Sequence, residues 1–371
     1  MKKSLLALSL LGALFTSTMT MADVVQTPTA NQVPNGYYTY HFGKYTITAL
    51  KDGNTELKPE LFSKNITADE VNALFKQLNI DKTKGIQTSV NAFLIDDGQR
   101  NLTLIDSGAA SCFGEGLGSI SENVQAAGYN LADIRTVFLT HLHPDHACGI
   151  ESQGKRVYPN ATVYVNEKED AFWLGANTAA QLPVEKQQAF NSTVAHVQKA
   201  LAPYKAIQNY RTFKDGMIIN DVEVIATPGH TPGHYSYAIK DSGKKLVFIG
   251  DTVHSHKLQF EQPKLAVEFD TDPVQASETR IKLFQTLATQ NLTVAAPHLP
   301  FPGIGHISLK GATGFEWVAI GSVPSANIAT DTSQQVKKEE VNAPKKEKLP
   351  KGVKGEAITV INDYPGNPKA N

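Results

Sequence analysis

The chain has 371 residues, of which 41% are hydrophobic and 19% charged, so it is long enough to bury a substantial core. A formal net charge of −1 argues against a nucleic-acid partner, which would require a basic face. Two cysteines are too few for a disulfide framework or a thiolate zinc cluster. We expect both, Cys112 and Cys148, to be small buried residues, although an oxidising compartment would permit one bridge.

The N-terminus has the pattern of a secretory signal peptide. Lys2 and Lys3 precede an apolar run over residues 5–15, and Ala22 completes a run of small residues suited to cleavage. The apolar run is too short for a bilayer span of about 20 residues, and no later segment is apolar enough. We therefore predict a signal peptide over residues 1–22 and a periplasmic or secreted protein without a transmembrane segment.

Strands and helices alternate along the first half of the remaining sequence. The hydrophobic patterns and turn residues predict strands at 37–42, 45–50 (ending in a turn at Asp52-Gly53), 89–95, 102–105 and 136–139, and helices at 67–78 and 118–127.

The second half repeats this order. Strands are predicted at 161–165, 217–219, 222–227, 235–239, 245–249 and 292–296, and helices at 168–174, 184–201 and 275–288. Two halves, each a sheet covered by helices on one side, predict an α/β protein with a four-layer αββα sandwich. We place this domain at residues 23–322. Residues 323–371 are rich in lysine and proline and predict a flexible tail.

Four potential metal ligands lie within six residues, directly after the buried strand at 136–139. His141 and His143 are two residues apart, so they project to the same side of an extended backbone. Pro144 suits the first turn of a helix, so Asp145 and His146 should leave in another direction. This geometry favours two ions rather than one. Imidazole and carboxylate ligands suit Zn²⁺, and also Mn²⁺, Fe²⁺ or Co²⁺.

Three later strands also end in a residue of ligand type. His230 follows the strand at 222–227, Asp251 follows the strand at 245–249, and His298 follows the strand at 292–296. A single histidine after a strand is more often a hydrogen-bonding or surface residue. Strand ends that converge on one rim of a sandwich would nevertheless bring all three to the first four residues.

This order of histidines and aspartates resembles the metallo-β-lactamase superfamily, whose fold is the αββα sandwich. The resemblance implies two metal ions, each held by three residues: His141, His143 and His230 for the first, and Asp145, His146 and His298 for the second. It also implies that Asp251 bridges the two ions and that Asp106 stands behind the site and orients a histidine.

Several further segments resemble the methyl parathion hydrolase branch of that superfamily: residues 89–91, 106–110, 229–234 and 295–306. Members of this branch hydrolyse organophosphate triesters, and relatives act on lactones and aryl esters. Their pocket mouth is lined by aromatic residues, and Phe113, Trp173 and Phe190 fall at matching positions. His254 and His256 depart from the pattern, and we expect them to be exposed or hydrogen-bonded within their loop.

The resemblance implies a hydrolase that uses two divalent ions, with zinc the best fit. Two such ions share one water and lower its pKa, so that hydroxide can attack a phosphotriester, lactone or aryl ester. Asp145 and Asp251 would orient that nucleophile and receive its proton. The alternatives are a β-lactamase or thioesterase of the same fold, and a metal-binding envelope protein without catalysis. The expected partner is a small-molecule ester, and a homodimer is expected from relatives.

Overall fold

The structure is a computed structural model that describes residues 36–99, 101–113, 116–311 and 314–320 and the backbone of residues 360–361. The predicted signal peptide and all but two residues of the predicted tail lie outside the described residues. Within the described ranges, no helix combines the length and the apolar character that a membrane crossing requires.

Every predicted strand and helix is present in the predicted order. The strands are β1 (Tyr37–Phe42), β2 (Tyr45–Leu57), β3 (Ile86–Asp96), β4 (Leu102–Ile105), β5 (Ile134–Phe138), β6 (Glu151–Ser152), β7 (Lys155–Arg156), β8 (Thr162–Asn166), β9 (Tyr210–Phe213), β10 (Ile218–Ile219), β11 (Val222–Ala226), β12 (Tyr235–Asp241), β13 (Lys244–Phe248), β14 (Thr293–Ala295), β15 (Ile304–Lys310), β16 (Gly314–Ala319) and β17 (Val360–Ile361). The helices are α1 (Ala68–Gln77), α2 (Ile120–Ala126), α3 (Pro144–Ala147), α4 (Glu167–Leu174), α5 (Thr178–Gln181), α6 (Val184–Lys205), α7 (Leu258–Glu261) and α8 (Pro273–Thr289). The described residues also form elements that were not predicted, among them strands β9, β15 and β16.

Two large sheets form the centre of the molecule. The strand order is β1-β2-β3-β4-β5-β8-β9 in the first sheet and β16-β15-β14-β13-β12-β11-β10-β17 in the second. The central pairs β4–β5 and β5–β8 are parallel, and so is β13–β14. Since parallel neighbours place their carboxyl ends at the same edge, the loops after β5, β13 and β14 can contribute to one site.

The core divides into layers that match the predicted sandwich. Between the sheets, the Phe93 and Phe248 rings lie 5.6 Å apart and the Phe138 and Tyr237 rings 4.9 Å apart. On the outer face of the first sheet, residues of α2 and α6 join a separate buried cluster. On the outer face of the second sheet, residues of α7 and α8 do the same. The prediction of an αββα sandwich is therefore confirmed.

One predicted turn is wrong, because β2 continues through Asp52-Gly53 to Leu57 with a bulge at this point. The buried Asp52 carboxylate accepts hydrogen bonds from the backbone N–H groups of Ala109 and Ile120. A Cβ on Gly53 would lie 1.9 Å from the Gly116 carbonyl oxygen. The Asp-Gly pair is therefore required by a loop that crosses the strand closely, not by a change of chain direction.

Candidate metal centre

The predicted ligands come together at one rim of the sandwich. His141 and His143 lie in the loop after β5, and Asp145 and His146 lie in α3, which Pro144 begins. The remaining three residues follow strands of the second sheet: His230 after β11, Asp251 after β13 and His298 after β14. Each sheet thus contributes part of the cluster, as the strand-end argument predicted.

The first group consists of His141, His143 and His230. Nε2 of His141 lies 2.9 Å from Nδ1 of His143, and Nε2 of His230 lies 3.2 Å and 2.9 Å from the same two atoms. Three ring nitrogens therefore point at one another around a common centre. Nitrogens bound to a tetrahedral zinc ion at about 2.0–2.1 Å are about 3.3 Å apart. The first group fits such an ion closely.

The second group consists of Asp145, His146 and His298. Oδ2 of Asp145 lies 3.5 Å from Nε2 of His146 and 3.5 Å from Nε2 of His298. Asp251 lies between the two groups. Its Oδ1 is 3.1 Å from Nε2 of His146, and its Oδ2 is 3.1 Å from Nε2 of His298 and 3.4 Å from Nε2 of His230.

Two buried atoms in this cluster support a metal site. Nε2 of His146 and Oδ1 of Asp251 are both buried and, although they lie 3.1 Å apart, neither makes a hydrogen bond with the other or with a further group. A buried polar atom left without a partner costs about 1–3 kcal/mol, and metal coordination would remove that cost. The donors around the two groups are imidazole nitrogens and carboxylate oxygens, which suits zinc and related divalent ions. The residues present therefore fit two ions.

The electrostatics of the cluster also favour cations. Burial lowers the pKa of His143 to about 3 and places that of His141 well below its usual value, so both rings are neutral and can donate a lone pair. Burial opposes ionisation of Asp251, but the neighbouring histidines, His146 foremost, outweigh it and hold its pKa well below its usual value. Burial opposes protonation of His146 and His298, but the nearby carboxylates, Asp251 foremost, outweigh it and raise the pKa of both rings, so ions bound there would displace protons from these two histidines.

A second layer of contacts fixes the orientation of three ligand rings. Nδ1 of His146 lies 2.9 Å from Oδ2 of Asp106, and the same oxygen accepts a hydrogen bond from the Thr140 hydroxyl. Asp106 has a positive φ of 59° at the end of β4, a conformation that concentrates at functional sites. Nδ1 of His230 lies 2.8 Å from Oδ1 of Asp270, and Nδ1 of His298 lies 2.9 Å from the Ser89 carbonyl oxygen.

Four of the seven residues, His143, Asp145, Asp251 and His298, line a cavity of about 460 Å³. Phe113 also lines it and is 54% exposed. The other two aromatic residues predicted for the pocket lie elsewhere. The Trp173 and Phe190 rings are buried and stacked at 4.9 Å, and Trp173 touches His143 edge-on from behind. Both rings pack within the buried core and do not line the cavity.

His254 follows the second of its two predicted placements, since it is hydrogen-bonded within its loop rather than exposed. The ring is only 2% exposed and lines the cavity. Its Nε2 lies 3.1 Å from Oδ2 of Asp251, and its ring stacks on that of His298. Its loop folds inward after Asp251. His256 is partly exposed.

The two cysteines form a disulfide, the one bridge that the sequence left open for an oxidising compartment, and of the two only Cys148 is buried as expected. The Cα atoms of Cys112 and Cys148 are 6.4 Å apart, within the range that a disulfide spans. Cys112 lies in the loop that carries Phe113, and Cys148 directly follows α3. The bridge therefore ties the cavity wall to the segment that holds His146.

Comparison with known proteins identifies the class. The family model described as "Metallo-beta-lactamase superfamily" matches residues 85–309, which is more than half of the chain. The chain belongs to this superfamily, as the ligand pattern and the αββα sandwich indicate.

Among solved structures, the chain is similar to the hydrolase AbOPH of the beta-lactamase superfamily. The two share 49% sequence identity over 78% of this chain and 99% of AbOPH, with a TM-score of 0.74. It is also similar to AidC, a dizinc quorum-quenching lactonase solved with a product, at 27% identity over 76% of this chain and 97% of AidC, with a TM-score of 0.67. An N-acyl homoserine lactonase of Bacillus cereus is 25% identical over 162 residues, which are 43% of this chain and 54% of the lactonase.

Proposed function

We propose that the protein is a dinuclear metal-dependent hydrolase of uncharged esters, either lactones and aryl esters or phosphotriesters. One observation carries this proposal: two groups of buried ligand-type side chains share Asp251 at the wall of a cavity large enough for a small molecule. In this proposal His141, His143 and His230 hold one ion, and Asp145, His146 and His298 hold the other. Asp251 bridges the two, and zinc is the ion that the donor set suits best.

The chemistry combines the ions with the side chains around them. Two bound divalent ions would lower the pKa of a shared water and polarise the carbonyl or phosphoryl oxygen of the ester. Asp145 and Asp251 both line the cavity, so their carboxylates can orient the attacking water and accept its proton. Asp106 does not line the cavity, and its role is to hold the ring of His146.

The cavity lining favours a substrate without negative charge. Among the described residues that line it, none is lysine or arginine, whereas aliphatic side chains such as Leu57, Leu61 and Leu117 are frequent. A penicillin carboxylate or the carboxylates of a glutathione thioester would lie away from the proposed ions with no cationic side chain of the lining to pair with, which is costly away from water. A neutral lactone, aryl ester or phosphotriester with an apolar arm avoids that cost. The lactone specificity of AidC, which shares this fold, supports the same choice.

We also propose that the protein is exported. The N-terminal segment supplies a signal-peptide pattern, and the disulfide between Cys112 and Cys148 is typical of oxidising compartments. The proposed mature chain comprises the hydrolase domain at residues 23–322 and a tail at 323–371.

The test is a substrate panel on the purified protein with metal analysis in parallel. We expect two ions per chain and turnover of a homoserine lactone, an aryl ester or a paraoxon-type triester. His141→Ala should abolish turnover without loss of folding, whereas His41→Ala, which alters an exposed histidine on β1, should not. Cleavage of nitrocefin alone would move the assignment to a β-lactamase. Two bound ions without hydrolysis of any ester would favour a metal-binding protein.

A further inference from the structure

One fully buried carboxylate outside the ligand set has an unusual concentration of donors. Glu169 lies in the first turn of α4 and has no exposed surface. Its Oε1 accepts hydrogen bonds from the backbone N–H of Leu142 at 2.9 Å and from Nε1 of Trp173 at 2.7 Å. Its Oε2 accepts from the hydroxyl of Thr231 at 2.7 Å and the backbone N–H of Gly233 at 3.1 Å. All four partners are donors to this one side chain.

These partners belong to the two segments that carry the first group. Leu142 is the residue between His141 and His143, and Thr231 directly follows His230. One side chain therefore ties the loop after β5 to the loop after β11, which come from different sheets. The three histidines of the first group are thus linked through a side chain that does not line the cavity.

The packing around this carboxylate is tight. A Cβ on Gly233 would lie 2.1 Å from the backbone nitrogen of Glu169, so the loop after β11 is pressed against the start of α4. Trp173, which donates to Glu169, contacts the ring of His143 with centroids 5.3 Å apart. A change at Glu169 can reach the first group both through the backbone and through this indole.

We propose that Glu169 is a positioning residue that sets the metal affinity of the first group without touching an ion. The inference rests on the proposed function, because it takes the first group to be a metal site. Four donors satisfy an ionised carboxylate, which accepts at both oxygens. Burial raises the pKa of Glu169, and the four hydrogen bonds act against this by favouring its charged form.

Glu169→Gln separates this role from simple space filling. Glutamine has nearly the same shape but only one acceptor oxygen, so its NH₂ group must face either Gly233 or the pair Leu142 and Trp173. At least one buried N–H then loses its acceptor and the two loops shift apart. Loss of an outer contact of this kind costs about 10–100-fold in metal affinity, and we expect that range here.

The experiment uses the fluorescence of Trp173. The chain has two tryptophans, so Trp317→Phe leaves Trp173 as the reporter beside the first group. His298→Ala in the same background removes a ligand of the second group. Titration with Co²⁺ should quench Trp173 as the first group fills. We expect the dissociation constant to rise about 10–100-fold in Glu169→Gln and to stay unchanged in the matched control Glu167→Gln, which alters an exposed residue of the same helix.

The outcomes separate this inference from the proposed function. If the parent binds Co²⁺ and Glu169→Gln binds it equally well, the positioning role is overturned while the metal site stands. If the parent binds no Co²⁺, the proposed function fails and this inference falls with it. Should circular dichroism show that Glu169→Gln does not fold, Thr231→Val replaces it, with Thr231→Ser as its control. Weaker binding in the valine variant alone supports the inference, and equal binding in both overturns it.

Discussion

Oδ2 of Asp106 lies 2.9 Å from Nδ1 of His146, and this contact leaves Nε2 of the ring facing Asp251. The carboxylate accepts a hydrogen bond from Nδ1–H, which leaves Nε2 as the ring nitrogen that can coordinate an ion. The other oxygen of Asp106 accepts from the backbone N–H of Thr140. One side chain thus fixes both the tautomer of a proposed ligand and the loop in front of it.

Asp106→Asn should weaken binding of one of the two ions by about 10–100-fold. The asparagine oxygen can still accept from the backbone N–H of Thr140, but its NH₂ group then faces Nδ1 of His146. An NH₂ group donates, so Nδ1 must accept, and the ring proton lies on Nε2 instead. Stepwise metal affinities, measured by competition with a chelator, test this expectation. Asp133→Asn, which alters an exposed aspartate, is the control, and identical affinities in both variants would contradict the assignment of Asp106.

Removal of the two ions should lower the melting temperature by about 10–20 °C. Each ion that binds only the folded state stabilises it by about 2.7 kcal/mol at a free concentration of 100 Kd, and each kcal/mol corresponds to about 2–4 °C in a large domain. The ion-free protein also keeps Nε2 of His146 and Oδ1 of Asp251 buried without a hydrogen bond. Differential scanning calorimetry before and after chelation measures the shift.

Zinc should restore the melting temperature and calcium should not, because calcium prefers oxygen ligands. His141→Ala should show a smaller response to chelation than the parent. A melting temperature that does not respond to chelation or to added zinc would argue against a bound pair of ions.

Reduction of the disulfide should lower the free energy of unfolding by about 2–4 kcal/mol. Cys112 and Cys148 are separated by 36 residues, and a bridge of this span restricts the unfolded chain substantially. Urea unfolding of Cys112→Ser and Cys148→Ser should give similar losses, and dithiothreitol should bring the parent to the same level. The double variant is the control, since dithiothreitol should not affect it. A parent that is equally stable with and without reductant would refute the prediction.

Phe113→Ala should raise KM for esters with an apolar arm by about 5–30-fold while kcat changes little. Phe113 lines the cavity and is half exposed, so its ring can cover an apolar group and contribute about 1–2 kcal/mol. Steady-state kinetics with short-chain and long-chain esters test this, and the effect should grow with chain length. Val274→Ala changes an exposed apolar side chain on α8, outside the cavity lining, and should leave KM unchanged. A fall in kcat alone would place Phe113 in another role.

The sequence predicted the clustering of the ligands because apolar strands and polar strand ends are local signals. His230, Asp251 and His298 each follow a strand, and the parallel pairing of β13 with β14 places two of these ends side by side. The prediction missed strand β9 because this local signal is absent there. Among its four residues only Phe213 is buried, so its sequence has no alternating pattern to recognise.

Contacts between segments far apart in the chain could not be predicted from local sequence patterns. The pairing of Cys112 with Cys148 depends on a Cα distance that only the folded chain defines. Glu169 reads as one more acid in the charged first turn of a short helix, yet it is fully buried. His254 follows Asp251 in a stretch that the sequence describes only as polar, and its burial results from the course of the loop.

The two sheets divide the proposed ligands between them. The loop after β5 and helix α3, next to the first sheet, carry four ligands, and loops of the second sheet carry the other three. The spacing of ligand atoms therefore depends on the angle at which the sheets face each other. Phe93 and Phe248 pack against each other between the two sheets, and neither belongs to the ligand set. Changes in aromatic bulk deep between the sheets should thus retune the reaction rate from a distance, and selection for new substrates can act there while every ligand stays the same.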